Sequence, residues 1–324
     1  MKRTALLLAF ILCVSAPLCA LSGCAGTNAN TGESHVTATT FAAYDWAKNL
    51  LKDVPGVHPA LLTENGVDLH SYNPSAEDIL NIKNSAVFIY VGGESDEWAA
   101  DILPETGGPE AVRLFGLPGV ELLVDSDEEG MTASGEEEEA DEHIWLSLGN
   151  AVACCRGIAE SLCRAFPQHA ERIKQHAASY EAQLSALKEK FASLRDTARY
   201  DSLVIADRYP FRYLSREAGL NCFAAFRGCS AETGASAATI SFLAGKLYEL
   251  SLPAVIILER SDSRLARTVI ETAKLGYDCE ILTLDSMQSV TSEDIQNGAG
   301  YISICENNLQ TLKIALGCDD PPKI

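Results

Sequence analysis

Positive charge is scarce in this chain of 324 residues, where 25 Lys and Arg stand against 45 Asp and Glu and leave a formal charge of -20. Phosphate backbones need a field of the opposite sign, so nucleic acid is excluded as a partner and small cations become natural ones. No CxxC pair occurs, so no thiolate zinc site has its usual spacing. There is no HExxH helix and no G-x-S-x-G elbow, the local signatures of zinc peptidases and serine hydrolases. Histidine numbers only six. What remains, 47% hydrophobic and 22% charged residues, is the composition of a globular protein long enough for one large domain or two medium ones.

Lys2 and Arg3, the apolar run Leu6 to Val14, and Leu21-Ser22-Gly23-Cys24 resemble a bacterial lipoprotein signal with its lipobox. Residues 1–23 are read as the signal peptide, Cys24 as the lipidated first mature residue, and residues 24–35 as that cysteine with a flexible, small and polar tether. The alternative is an uncleaved anchor. Both put the folded part outside the cytoplasm, on the cell membrane. Losing Lys2 and Arg3 takes the charge from -20 to -22. With Cys13, Cys19 and the lipidated Cys24 set aside, eight of the 11 cysteines remain. Cys222 and Cys229 form the one near-neighbour pair suited to a disulfide, against a default in which the thiols are buried as small apolar groups.

The rest alternates strand and helix. Apolar strand patterns at Val57 to Leu62 and Ala86 to Val91 flank a helix that Ser75 caps with Asp78 at its third position. Residues 125–142 hold ten acidic side chains and read as a mobile surface loop. A helix from Asn150 stops at Pro167. From Gln168 to Leu194 there is no Gly or Pro, and Ile173, Ala177, Tyr180, Leu184, Leu187 and Phe191 fall three and four apart. That spacing predicts one amphipathic helix of about 27 residues, roughly 40 Å long. Strands follow at Ser202 to Ala206, Asn221 to Phe226, Ala254 to Leu258 and Cys279 to Leu284, with helices between and after them. The fold class is α/β: two lobes with mainly parallel sheets, residues 36–167 and 197–324, joined by a long helix over 168–196.

Gly66-Val67-Asp68-Leu69-His70-Ser71-Tyr72-Asn73-Pro74-Ser75 resembles the first metal-binding motif of the TroA-like family, the zinc and manganese solute-binding proteins of ABC importers. The likeness continues through Ala86 to Tyr90 with Trp98, His143-Ile144-Trp145-Leu146 with Asn150, and Tyr213-Leu214 with Gly219-Leu220. It implies two α/β lobes on a rigid helix with the metal between them. His70 and His143 match the N-lobe histidine ligands, and Asp285 matches the C-lobe aspartate. Imidazole and carboxylate together suit zinc first and manganese second, at about 2.0 to 2.2 Å.

The chain departs from that pattern at the third ligand, where Arg208 stands and a guanidinium cannot bind a cation. Asp207 takes the role if Asp207-Arg208-Tyr209-Pro210 forms a reshaped turn with Pro210 first in the next helix. Otherwise Asp207 caps that helix or pairs with Arg208. Glu232 is expected to partner Arg208, with direct ligation as its fallback, and water is a further occupant of the third position. The acidic stretch reads either as a weak cation gatherer at the cleft mouth or as a solvated loop.

The function expected is a lipid-anchored, monomeric receptor that hands a divalent metal to an ABC permease in the membrane, with no catalytic residues. Two other classes compete. An exported zinc metallohydrolase would keep an open metal position for water, and an adhesin-like surface lipoprotein would use the same fold only as an interaction module.

Overall fold

A computed structural model describes residues 33–63, 66–67, 69–106, 108–131, 139–228 and 234–318. The signal segment and Cys24 lie outside them, as do Cys229 and Glu232. Among the described residues no helix is long and apolar enough to cross a membrane.

The first half runs β1 (Ser34–Ala38), α1 (Phe41–Leu50), β2 (Val57–Leu61), α2 (Ala76–Asn84), β3 (Val87–Tyr90), α3 (Trp98–Thr106) and β4 (Glu110–Arg113). A two-residue ribbon, β5 (Val124–Asp125) with β6 (Glu139–Ala140), precedes α4 (Leu148–Ala165), the long α5 (Ala170–Ala192) and the short α6 (Leu194–Thr197). The second half runs β7 (Ser202–Tyr209), α7 (Arg212–Ala218), β8 (Asn221–Arg227), α8 (Ala237–Glu249), β9 (Ala254–Leu258), α9 (Arg264–Ala273), β10 (Glu280–Leu284), α10 (Ser292–Gln296) and α11 (Tyr301–Ala315). Ser75 caps α2 in a reciprocal box with Asp78, as their spacing predicts.

Two all-parallel sheets result, ordered β2-β1-β3-β4 and β10-β9-β7-β8. Counted within each half, both follow the order second, first, third, fourth strand. Crossover helices cover such sheets on both faces, which is why β3 and β9 are buried at every position. Loops at the carboxyl ends of the strands beside the order reversal are where this topology forms its binding crevice.

The six apolar residues read from the long helix pattern all lie buried on α5. At about 35 Å by its rise per residue, α5 feeds both halves, because its stripe belongs to one continuous core that also takes Trp46 and Leu50 from α1, Ile158 and Leu162 from α4, and Leu309 and Leu312 from α11. A smaller core, including Leu243, Val255 and Val269, fills the outer face of the second sheet.

Two expectations are corrected. Asp207 and Arg208 do not form a turn: β7 runs through to Tyr209, with a bulge after Ile205 that lets Arg208 pair with Phe226 and Tyr209 with Arg227 on β8. Helix α7 therefore starts at Arg212, not Pro210. The acidic stretch is not a wholly exposed loop either. Its two ends pair as β5 and β6, and Asp125, Asp141 and Glu142 are 3%, 0% and 3% exposed. Residues 132–138 fall outside the described part.

Candidate metal centre

His70 follows β2 on a 3-10 turn, Leu69–Ser71, whose Leu69 is buried and anchors it. The loop leading there passes Gly66, with φ +72°, where an added Cβ would stand 2.8 Å from the Ser289 carbonyl oxygen. Only glycine permits that backbone conformation at this close approach to the segment after β10. His143 stands just before the 3-10 turn Ile144–Leu146, all three of whose side chains are buried, and Ser147 then caps α4. Burial of Leu69 beside His70 and of Ile144 to Leu146 beside His143 thus fixes where each imidazole sits.

The two Nε2 atoms lie 3.3 Å apart, with ring centroids 5.3 Å apart. Behind them, His143 Nδ1 is 2.8 Å from Asp141 Oδ1, and His70 Nδ1 is 2.6 Å from Ser95 Oγ and 3.4 Å from Glu142 Oε2. An ionised carboxylate only accepts, so the His143 proton sits on Nδ1 and its Nε2 lone pair faces His70. Burial alone would lower the His143 pKa, but the charge and hydrogen bond of Asp141, with Asp125 and Glu142, outweigh it and raise it above the ordinary imidazole value.

Two nitrogens bound to one tetrahedral zinc at about 2.0 to 2.1 Å stand about 3.3 to 3.4 Å apart. The observed spacing fits that edge. An electrophile between the imidazoles, either a proton or a metal, relieves the repulsion of converging lone pairs.

Around the pair, charge is tightly organised. Arg212 of α7 reaches Asp125 (3.2 Å), Glu128 and, at 3.6 Å, Asp141 Oδ2. Tyr213 donates its hydroxyl to the Asp141 carbonyl at 2.8 Å, and Arg227 of β8 donates to the Asp125 carbonyl. Gly228 follows it against the His143 ring, where an added Cβ would be 3.1 Å from Cε1. A cleft of about 590 Å³ opens beside His70, lined by Tyr72, Glu94, Trp98, Glu142 and Arg227 among others.

The remaining sequence candidates sit apart. Asp207 turns both oxygens to backbone, Oδ1 accepting from Arg208 N at 2.9 Å and Oδ2 from Leu258 N at 3.3 Å. Arg208 is in β7 beside it. Asp285, directly after β10, accepts from Met287 N at 2.7 Å and lines a separate cavity of about 450 Å³ with Glu259 and Arg260. Burial and the charge of Glu259 push its carboxyl up to about 6. Its neighbour Ser286 nevertheless accepts the indole N–H of Trp145 at 2.9 Å, which ties the segment of Asp285 to that of His143. Among the described residues no three His, Cys, Asp or Glu side chains are gathered closely enough to hold one ion. Glu232 lies outside them. Cys222 is a free thiol, its Sγ 3.1 Å from Ser215 Oγ, while its expected partner Cys229 is not described.

Sequence reasoning missed Ser95, Asp141, Glu142, Arg212 and Arg227. One signal was available for two of them. Asp141 and Glu142 end the acidic run immediately before the apolar Ile144-Trp145-Leu146, so they had to enter the core with it.

The family model described as the periplasmic zinc-uptake complex component A, ZnuA, matches residues 36–315. The zinc-binding lipoprotein AdcA of Streptococcus pneumoniae is 30% identical over 97% of this chain. This chain spans only 61% of that relative's length. The high-affinity zinc uptake system protein ZnuA of Bacillus subtilis is 27% identical over 92% of both chains. The crystal structure of Zn(II)-bound AdcA from Streptococcus pneumoniae superposes with a TM-score of 0.70 at 26% identity, covering 88% of this chain and 58% of that one.

Proposed function

Because the chain belongs to the ZnuA family of zinc-uptake components, we propose that it is an extracytoplasmic receptor that captures a divalent transition metal and delivers it to an ABC permease. Zinc is the first cargo and manganese the second. The carrying observation is the 3.3 Å separation of the His70 and His143 Nε2 atoms, each imidazole backed at Nδ1 by a hydrogen-bonding partner. The zinc-binding and zinc-uptake names of the relatives support the same cargo.

His70 and His143 hold the metal in this reading. Asp285 is the first candidate for a further ligand, since Trp145 and Ser286 already join its segment to that of His143. Asp207 reaches the ion only by releasing two backbone hydrogen bonds. Glu232 lies four residues beyond Gly228, which touches the His143 ring. Water completes the shell. Cys24 carries the lipid that keeps a monomeric receptor at the membrane, with residues 24–35 as tether, 36–167 and 197–324 as lobes and 168–196 as their link. The set of ligands turns nothing over chemically.

The test is thermal unfolding of the chain without residues 1–23, with and without one equivalent of zinc or manganese. A ligand that binds only the folded state raises the midpoint by mass action, so a large upward shift is expected, lost in His70→Ala. No shift with either metal sinks the reading. Hydrolysis of model esters by the zinc form would move the assignment to a metallohydrolase.

A further inference from the structure

Two consecutive carboxylates stand behind the two imidazoles. Asp141 Oδ1 is 2.8 Å from His143 Nδ1, and Glu142 Oε2 is 3.4 Å from His70 Nδ1. Both acids are buried. Glu142 is the less expected of the pair. Its Oε1 accepts from Ser95 N at 2.7 Å, whereas its Oε2 is buried with no hydrogen-bond partner. Gly93 leaves the room for it, because an added Cβ there would stand 2.2 Å from Glu142 Oε1. A buried carboxylate oxygen without a partner costs stability, so a role at the cleft it lines is the natural reason for its presence.

Ser95 alone does not decide how His70 is protonated. Its Oγ, 2.6 Å from Nδ1, can donate or accept. Glu142 biases that choice through its charge, since a carboxylate oxygen 3.4 Å from Nδ1 stabilises a proton on that nitrogen even without a hydrogen bond to it. Asp141 does the same for His143 and is itself held from the second half of the chain by Arg212, 3.6 Å from its Oδ2, and by Tyr213 through its carbonyl. We infer that Asp141 and Glu142 are the positioning residues of the two imidazoles, one dipeptide that sets both tautomers and aims both Nε2 lone pairs at one point. This rests on His70 and His143 being the metal ligands. The paired carboxylates raise the basicity of the two imidazoles they hold and place negative charge beside the cargo.

The test needs no metal for its first readout. In the full chain, labelled with 15N at histidine, stripped of metal and held above the imidazole pKa values, long-range nitrogen–proton spectra distinguish Nδ1–H from Nε2–H rings. Both His70 and His143 are expected as Nδ1–H. In Glu142→Gln, His70 gains the Nε2–H form while His143 keeps its own, and zinc binds about 10- to 100-fold more weakly. Asp141→Asn moves His143 and leaves His70. Glu142→Asp, a carboxylate one methylene too short to keep both contacts, gives the same readout should the glutamine variant not fold. A Glu142 variant with an unchanged His70 tautomer, or with unchanged zinc affinity, overturns the inference. A wild type that binds no zinc sinks the receptor reading instead, and the tautomers alone then decide this one.

Discussion

Glu217 of α7 caps the helix that begins at Leu148, its Oε2 accepting from Leu148 N at 3.0 Å and its Oε1 from Gly149 N at 2.9 Å and Ser147 Oγ at 2.6 Å. The reverse link exists as well. Asp45 of α1 accepts from Tyr301 N at 3.0 Å, at the first turn of α11. Each half of the chain thus satisfies amide donors that open a helix in the other, where a carboxylate also meets the positive end of the helix dipole.

Glu217→Ala leaves those donors without a partner in a part-buried site. A loss of about 1–3 kcal/mol of stability is expected, read as a lower midpoint in urea with an unchanged slope. Since α4 starts five residues after His143, amide exchange around residues 143–149 should quicken too. Unchanged exchange there would separate the cap from the metal site.

His70→Ala and His143→Ala are expected to weaken zinc binding by more than about 100-fold, beyond the effect of losing a group that only supports a ligand. Their structural effects differ. His70 is partly exposed, whereas His143 is fully buried and packed on Trp145, so only His143→Ala should also lower the metal-free melting point. Competition against a chromophoric chelator and a melt without metal separate the two effects.

Asp207→Ala is expected to cost stability rather than affinity. Its carboxylate holds the amides of Arg208 and Leu258 beside the β7 bulge, and losing those bonds costs about 1–3 kcal/mol. A variant with wild-type stability and a tenfold or greater loss of zinc binding would make Asp207 a ligand after all.

Asp96 gives a pH prediction. Burial pushes its carboxyl up to about 6, against the lowering effect of Gly92 and Val91 amides and the Thr39 hydroxyl. Between the unfolded value near 3.9 and about 6, the folded chain therefore keeps a proton that the unfolded chain has lost. Stability from this group is greatest below that window and falls as pH rises through it, by about 3 kcal/mol in all. The fall in metal-free unfolding free energy should be shallower by about that amount in Asp96→Asn. Parallel curves for the two proteins would refute the assignment.

Regular spacing made much of the fold legible. The α5 stripe from Ile173 to Phe191 and the apolar run Ala254 to Leu258 each bury in a single way, so periodicity alone located them. His70 and His143 were legible because their motifs are local. The turn at Asp207-Arg208 was misread for a physical reason: a polar Asp-Arg pair before Pro210 looks like a turn, and only pairing with β8 through Phe226 and Arg227 keeps it in a strand. The burial of Asp141 and Glu142 was signalled only by their place before Ile144-Trp145-Leu146, while their partners Arg212, Tyr213 and Ser95 are distant in sequence and nearby only after folding.

For the receptor proposed above, the single core threaded by α5 bears on how the loaded state announces itself. With Trp46, Leu184 and Leu309 in one apolar mass and helix starts held across the two halves, a wide swing of one half against the other would break packing throughout. A permease would then have to tell full from empty by touch at the rim of the cleft, from the set of the loops around Gly66, His143, Gly228 and Ser286, and not from the receptor's silhouette.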